Sequence, residues 1–209
     1  MAFAKTDKAR FIGHLDLMKV FRRAINIARI PVSYSRGFNP HQKLTIALPL
    51  SLGMEGYNEY SELELDESAE IPAAEIKDML NLALPKGLVI HAARFMDKDE
   101  KSPSALVSAA CYELQTREMG VLSEKAQEIS RCESLIIPKK TKRGIKNIDI
   151  RPEIISMDVS GDILTAILTA GGQRSLKPDL LAKAMGVTFS RYARLNIYKV
   201  INGKLMPLM

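Results

Sequence analysis

The sequence predicts an α+β protein built from two ferredoxin-like halves, each a βαββαβ unit with an antiparallel sheet. Three observations carry that expectation. Residues 1–97 alternate short strand patterns with two amphipathic helical patterns in the order strand, helix, strand, strand, helix, strand. A charged, apolar-poor run, Asp97-Lys98-Asp99-Glu100-Lys101-Ser102-Pro103, then interrupts the chain and reads as a domain boundary. Residues 103–209 repeat the element order less clearly, with a basic insertion and no visible sequence repeat.

In the first half, Ala2 to Phe11 reads as a short basic strand. A helix follows from Leu15 to Ala28: Met18, Phe21, Ile25 and Ala28 recur at helical spacing, opposite Asp16, Lys19, Arg23, Asn26 and Arg29. Pro31 stops it, and Val32 to Ser35 opens a strand. Ser35-Arg36-Gly37-Phe38-Asn39-Pro40-His41 is dense in turn formers and is read as a loop. Leu44, Ile46 and Leu48 alternate as a strand, and Leu52 to Gly56 supplies a turn. Tyr60 to Leu65 sets Leu63 and Leu65 inward and Glu62 and Glu64 outward, the pattern of a half-buried antiparallel strand. A second helix starts at Pro72, where a missing N–H costs nothing. It buries Ile76, Met79, Leu80 and Ala83, and Leu88 to Phe95 closes the unit.

In the second half, Leu106 to Gln115, Leu135 to Lys139, Ile163 to Ala170 and Arg194 to Ile201 read as strands. Leu122 to Cys132 and Lys177 to Met185 read as helices, the latter closed by Gly186. Residues 140–159 fit no single element and suggest an extra ribbon that carries basic charge.

At 46% hydrophobic and 26% charged residues, the composition is that of a globular chain. The apolar runs are too short to span a bilayer, and the charged N-terminus does not resemble a signal peptide. With only Cys111 and Cys132, a reducing cytoplasm is the expected location. The formal charge of +6 is modest, but it is segregated. Residues 55–70 hold acids and no base, whereas Lys139, Lys140, Lys142, Arg143, Lys146 and Arg151 face the single acid Asp149. No P-loop, dinucleotide fingerprint, nucleophile elbow or zinc spacing is present.

The run Arg10-Phe11-Ile12-Gly13-His14-Leu15-Asp16-Leu17-Met18, the loop Ser35 to His41 and the run Ala47-Leu48-Pro49-Leu50-Ser51-Leu52-Gly53 together resemble the signature of the bacterial radical-SAM-linked protein family. Asp149-Ile150-Arg151-Pro152 and Leu195-Asn196-Ile197-Tyr198 are similar to it as well. That family is a domain of unassigned reaction found beside, or fused to, a radical SAM protein. The resemblance implies partnership with a radical SAM enzyme encoded nearby. Such an enzyme holds its cluster with three closely spaced thiolates, and Cys111 and Cys132 are too few and too far apart. No cofactor of its own and no metal site is expected.

Three constellations are candidates for function. His14 and Asp16 open the first helix; either they cap and pack there, or His14 acts as a general base. In the loop, Arg36, Phe38, Asn39, His41 and Gln42, with Lys43 beyond it, offer donors for phosphate or base edges and a stacking face. The other reading makes Phe38 a core plug. The basic stretch Lys139, Lys140, Lys142, Arg143, Lys146 and Arg151 is either a solvated loop or a polyanion contact, with Arg191, Tyr192 and Arg194 as a possible extension. The leading expectation is an accessory protein, non-catalytic alone, that binds RNA or presents substrate to its radical SAM partner in RNA modification. The alternative is a metal-independent endoribonuclease similar to CRISPR repeat-processing enzymes, with His14 as base and Arg36 or Lys43 stabilising the phosphate. A third is a protein-binding adaptor that docks a basic partner on residues 55–70.

Overall fold

The computed structural model describes residues 1–141, 144–172 and 174–209. Strand β1 (Ala2–Lys5) ends earlier than the expected Ala2 to Phe11, because Asp7–Phe11 coil into a 3-10 turn with Ala9 buried. Helix α1 (His14–Ile27) follows, then β2 (Leu44–Ile46), β3 (Glu55–Leu63), α2 (Ala73–Ala83) and β4 (Leu88–Ala92). After the short α3 (Pro103–Leu106) come β5 (Ala109–Thr116), α4 (Met119–Arg131) and a ribbon of β6 (Ile136–Thr141) and β7 (Gly144–Asp149). The chain then forms β8 (Ile154–Ser160), β9 (Ile163–Thr169), α5 (Pro178–Met185), β10 (Phe189–Ile201) and β11 (Lys204–Pro207).

Among the described residues, nine strands form one mixed, mostly antiparallel sheet, and five α-helices accompany it. β1 lies antiparallel between β4 and β3, and β2 pairs antiparallel with the far end of β3. β5 lies antiparallel between β10 and β9, with β8 outside β9. The two sets join where β3 and β10 run parallel, through Ala193 opposite Glu55 and Arg194 opposite Gly56. One sheet therefore crosses the middle of the chain.

The structure corrects three further local expectations. Val32 to Ser35 forms no strand; it makes isolated bridges, Val32 to Leu65 and Tyr34 to Gln42. Glu55 and Gly56 belong to β3, and the turn before them is at Leu52-Gly53. Leu135 to Lys139 was expected in the main sheet but falls largely in the separate ribbon. Its place beside β9 is taken by β8, inside the stretch that no pattern resolved. The reason is physical: β8 is an edge strand whose register shifts between Ile154 and Ser156, so its buried Ile154 falls out of phase with Met157 and Val159, which also pack on the core.

Two apolar cores form. One holds Phe3, Leu17, Phe21, Ile25, Ile76, Leu80, Leu88 and Ile90, with Phe3 and Phe21 edge to face at 5.0 Å. The other gathers Leu114, Leu122, Ile129, Leu164, Leu168, Leu181 and Met185 from the second half. It also takes Ala47, Leu50, Met54 and Tyr60 from the first. No helix among the described residues is long and apolar enough to cross a membrane.

Candidate functional site

Where β3 and β10 meet, the sheet buries charge. Arg194 and Glu59 are 2% and 1% exposed and form a two-point ion pair, with Arg194 Nε donating to Glu59 Oε1 at 2.8 Å. Arg194 Nη2 also donates to the Leu48 carbonyl at 2.6 Å, and Nη1 makes a long 3.4 Å contact to the Pro49 carbonyl. Burial opposes the charge on Arg194, but the Glu59 carboxylate outweighs it and raises its pKa well above the usual value. Gly56 makes room for this pair, because a Cβ there would meet the Glu59 carboxyl at 2.6 Å. Lys5, 1% exposed, donates to the Arg10 carbonyl at 3.1 Å. Desolvation lowers its pKa, partly offset by Glu59.

A second network lies toward the start of β3. Arg191 donates to Glu55 Oε2 at 2.7 and 2.9 Å and to Glu113 at 2.9 Å, and reaches the Tyr57 hydroxyl at 2.5 Å. Arg10 adds a longer contact to Glu55 at 3.7 Å. These guanidinium groups hold the Glu55 carboxyl below its usual pKa despite burial. From the sequence, Arg191, Tyr192 and Arg194 were candidates to extend the basic surface. Instead both arginines are matched by acids, and Tyr192 packs against Phe189 with ring centroids at 6.0 Å. Much of the acidic stretch is likewise engaged. Glu62 accepts from Ser102, Glu64 pairs with Lys43 and Asp66 accepts from Ser68, while Glu64, Asp66, Glu67 and Glu70 are exposed.

His14 is the first residue of α1, half-buried, and Gly13 caps the helix without a side chain. Its Nδ1 is buried without a partner among the described residues. The loop lies elsewhere. Gln42, at its base, is 3% exposed and donates to Asn26 at 2.7 Å, near the other end of α1. Asn26 is twelve residues from His14, about 18 Å along a helix. The two histidines are thus anchored at opposite ends of α1. An active site that combines His14 with Arg36 or Lys43 is not assembled, and Lys43 is held by Glu64 at 2.5 Å.

The loop itself presents its polar groups outward. His41 Nδ1 lies 2.9 Å from the Ser35 hydroxyl, which also accepts from the His41 amide, so the neck is closed. Gly37 takes a positive φ of 128°, which favours glycine. Arg36, Asn39 and His41 are exposed, and Phe38 is fully exposed, so it is no core plug. Gln42 is buried and cannot face a ligand in this arrangement.

In the ribbon, Ile137 pairs with Ile148 and packs on the second core, and Lys139 lies directly opposite Lys146 on the same face. Both lysines are exposed; like charges directly opposite repel. Lys140 lies in β6, while Lys142 and Arg143 lie outside the described residues. Arg151 plays another role. It donates to the carbonyls of Cys132, Ile154 and Ser130 at 3.1, 3.1 and 3.3 Å, tying the end of α4 to β8. It is therefore a structural cross-brace and not a free phosphate contact.

Two cavities stand out. The larger, about 600 Å³, lies between the far half of β3 and residues 93–100. The smaller, about 310 Å³, lies at the seam, lined by Leu48, Pro49, Leu50, Ser51 and Met54 on one side and Tyr112, Ser175, Leu176, Lys177, Pro178 and Arg194 on the other. No cluster of three or more His, Cys, Asp or Glu side chains among the described residues is placed to hold a metal ion.

Comparison with curated proteins finds no match. A family model described as an uncharacterized protein conserved in bacteria matches residues 1–178, which include the His14 helix, the exposed loop, the ribbon and β3 but not β10. The chain belongs to that family, DUF2344.

Proposed function

We propose that the chain is a cytoplasmic RNA-binding accessory protein, non-catalytic alone, that presents RNA to a radical SAM enzyme in RNA modification. We read the two strand sets, β4-β1-β3-β2 and β10-β5-β9-β8, as two ferredoxin-like halves, a fold that often serves RNA recognition. The observation that carries the RNA reading is Phe38, 106% exposed on a closed loop beside Arg36 and His41. An uncovered aromatic ring next to a cation is what single-stranded RNA stacks on. The opposed Lys139 and Lys146 support it, since a phosphate between them relieves their repulsion. The radical SAM partner rests on the signature motifs described above.

Fluorescence anisotropy with a labelled single-stranded RNA tests the loop. Phe38→Ala should weaken binding by about 5- to 150-fold, the equivalent of about 1–3 kcal/mol for one stacked base, without altering thermal unfolding. Equal affinities for the two proteins would remove the loop from the RNA contact. A salt series tests the ribbon. Lys139→Ala with Lys146→Ala should lower the slope of log K against log salt by about 0.7, the value for the one phosphate they share on a single strand. Co-purification with the radical SAM protein, and its effect on that enzyme's turnover, tests the partnership; if the proteins neither associate nor affect each other, it fails.

A further inference from the structure

We propose that the outer face of α1 is a phosphate track that carries a single RNA strand along the helix and into the exposed loop. The inference rests on the RNA reading above and deepens it, from one stacked base to an extended strand. Lys19, Arg22, Arg23 and Asn26 follow Leu15 at spacings of four, seven, eight and eleven residues, which sets all five on one stripe. That stripe lies opposite the buried Leu17, Phe21, Ala24 and Ile25. Among the described residues, Lys19 alone of its cations has an acid partner, the exposed Asp16 at 2.9 Å. Half-buried Arg22 and exposed Arg23 have none.

Arg29 continues the row past the end of the helix, and its backbone is an independent sign. The Arg29 amide donates to the Asn26 carbonyl and the Ile30 amide to the Ile25 carbonyl, both at 3.2 Å. This is the Schellman ending, in which the residue at the place of Arg29 turns left-handed and glycine fits best. Arg29 holds a φ of 53° there, so a side chain is kept where sterics disfavour one. It is exposed and has no acid partner among the described residues. The same end of α1 holds the loop: Gln42 donates to Asn26 at 2.7 Å, and Tyr34 bridges Gln42. Tyr34 is 51% exposed and offers a second ring ahead of Phe38. Cations on the helix and two uncovered rings beyond it match the two parts of a single strand, its backbone and its bases. An acidic peptide would pair with the cations but has no base to stack on the rings.

Fluorescence anisotropy of the full chain with labelled mixed-sequence RNA, a trinucleotide and a dodecanucleotide, tests the track across a salt series. Arg23 and Arg29 lie six residues apart, about 9 Å at the helical rise, so each takes its own phosphate. Arg23→Gln with Arg29→Gly should lower the salt slope for the longer strand by about 1.4, at about 0.7 per phosphate. The trinucleotide, which the loop alone can hold, should change little. Arg29→Gly by itself should keep or raise the urea midpoint, because glycine suits the left-handed position. A lower midpoint with an unchanged slope would make Arg29 a prop for the helix end and overturn its place in the track. Asp16→Asn removes the acid that holds Lys19 and should tighten the longer strand several-fold. If Phe38→Ala weakens binding while the arginine pair leaves the slope unaltered, the loop reading stands and the track falls. No binding of the longer strand to the wild-type chain sinks both. Poly-glutamate that binds as tightly as RNA, with the same dependence on Arg23 and Arg29, would make the face a protein-docking surface and overturn the proposal.

Discussion

Glu59→Ala should lower folding stability by about 3–5 kcal/mol, the cost of breaking a buried ion pair from one side. The measurement is urea unfolding, read as a lower midpoint at an unchanged slope. Removing the carboxylate leaves the buried Arg194 guanidinium without its two-point partner and Lys5 without the charge that favours its protonated form. The double change Glu59→Leu with Arg194→Met should recover much of the loss, because apolar groups of similar volume replace the pair with no charge left over. A Glu59→Ala protein with a wild-type midpoint would show that the pair is not buried as described.

Lys5 adds a pH signature. Its folded pKa is lowered, so the unfolded chain binds the proton more tightly. Stability should therefore rise as pH climbs through the folded pKa toward the ordinary value of 10.5. Lys5→Met removes the titrating group, and that rise should disappear.

Arg151→Ala is the second change with a large expected effect, about 2–3 kcal/mol of stability. Each hydrogen bond from a charged donor contributes about 1.5–3 kcal/mol, reduced here because part of the side chain reaches solvent. Three carbonyls at the junction of α4 and β8 lose their donor together. The salt dependence of RNA binding should not change, in contrast to the lysine pair of the ribbon. If Arg151→Ala kept the wild-type midpoint and lowered the salt slope, the residue would be a phosphate contact and its cross-brace role would be wrong.

The difference between Arg151 and Lys139 shows what the sequence carried and what it did not. Both sit in one basic run, and local pattern gives them the same role. The partners of Arg151 are carbonyls that no side-chain pattern encodes. Arg194 was misread for a related reason. Glu59, its partner, is 135 residues away, so neither the basic nor the acidic segment reveals the other. Helices fared better, because the 3.6-residue periodicity is local: Phe21 and Ile25 mark the buried face of α1 from the sequence alone. Strand β8 was hard to read because a register shift between Ile154 and Ser156 puts the fully buried Ile154 out of phase with the half-buried Met157 and Val159. The position of the loop relative to His14 was also out of reach, since a single contact between Gln42 and Asn26 decides it.

The segment around Leu50 and Met54 is encoded with the first strand set yet packs into the second core. A protease nick in the exposed run near Lys98 and Asp99 would separate the chain on a denaturing gel without separating it in solution. The C-terminal fragment would lack Ala47, Leu50, Met54 and Tyr60 from its core, and the two pieces, produced apart and mixed, should find each other again as one cooperative unit.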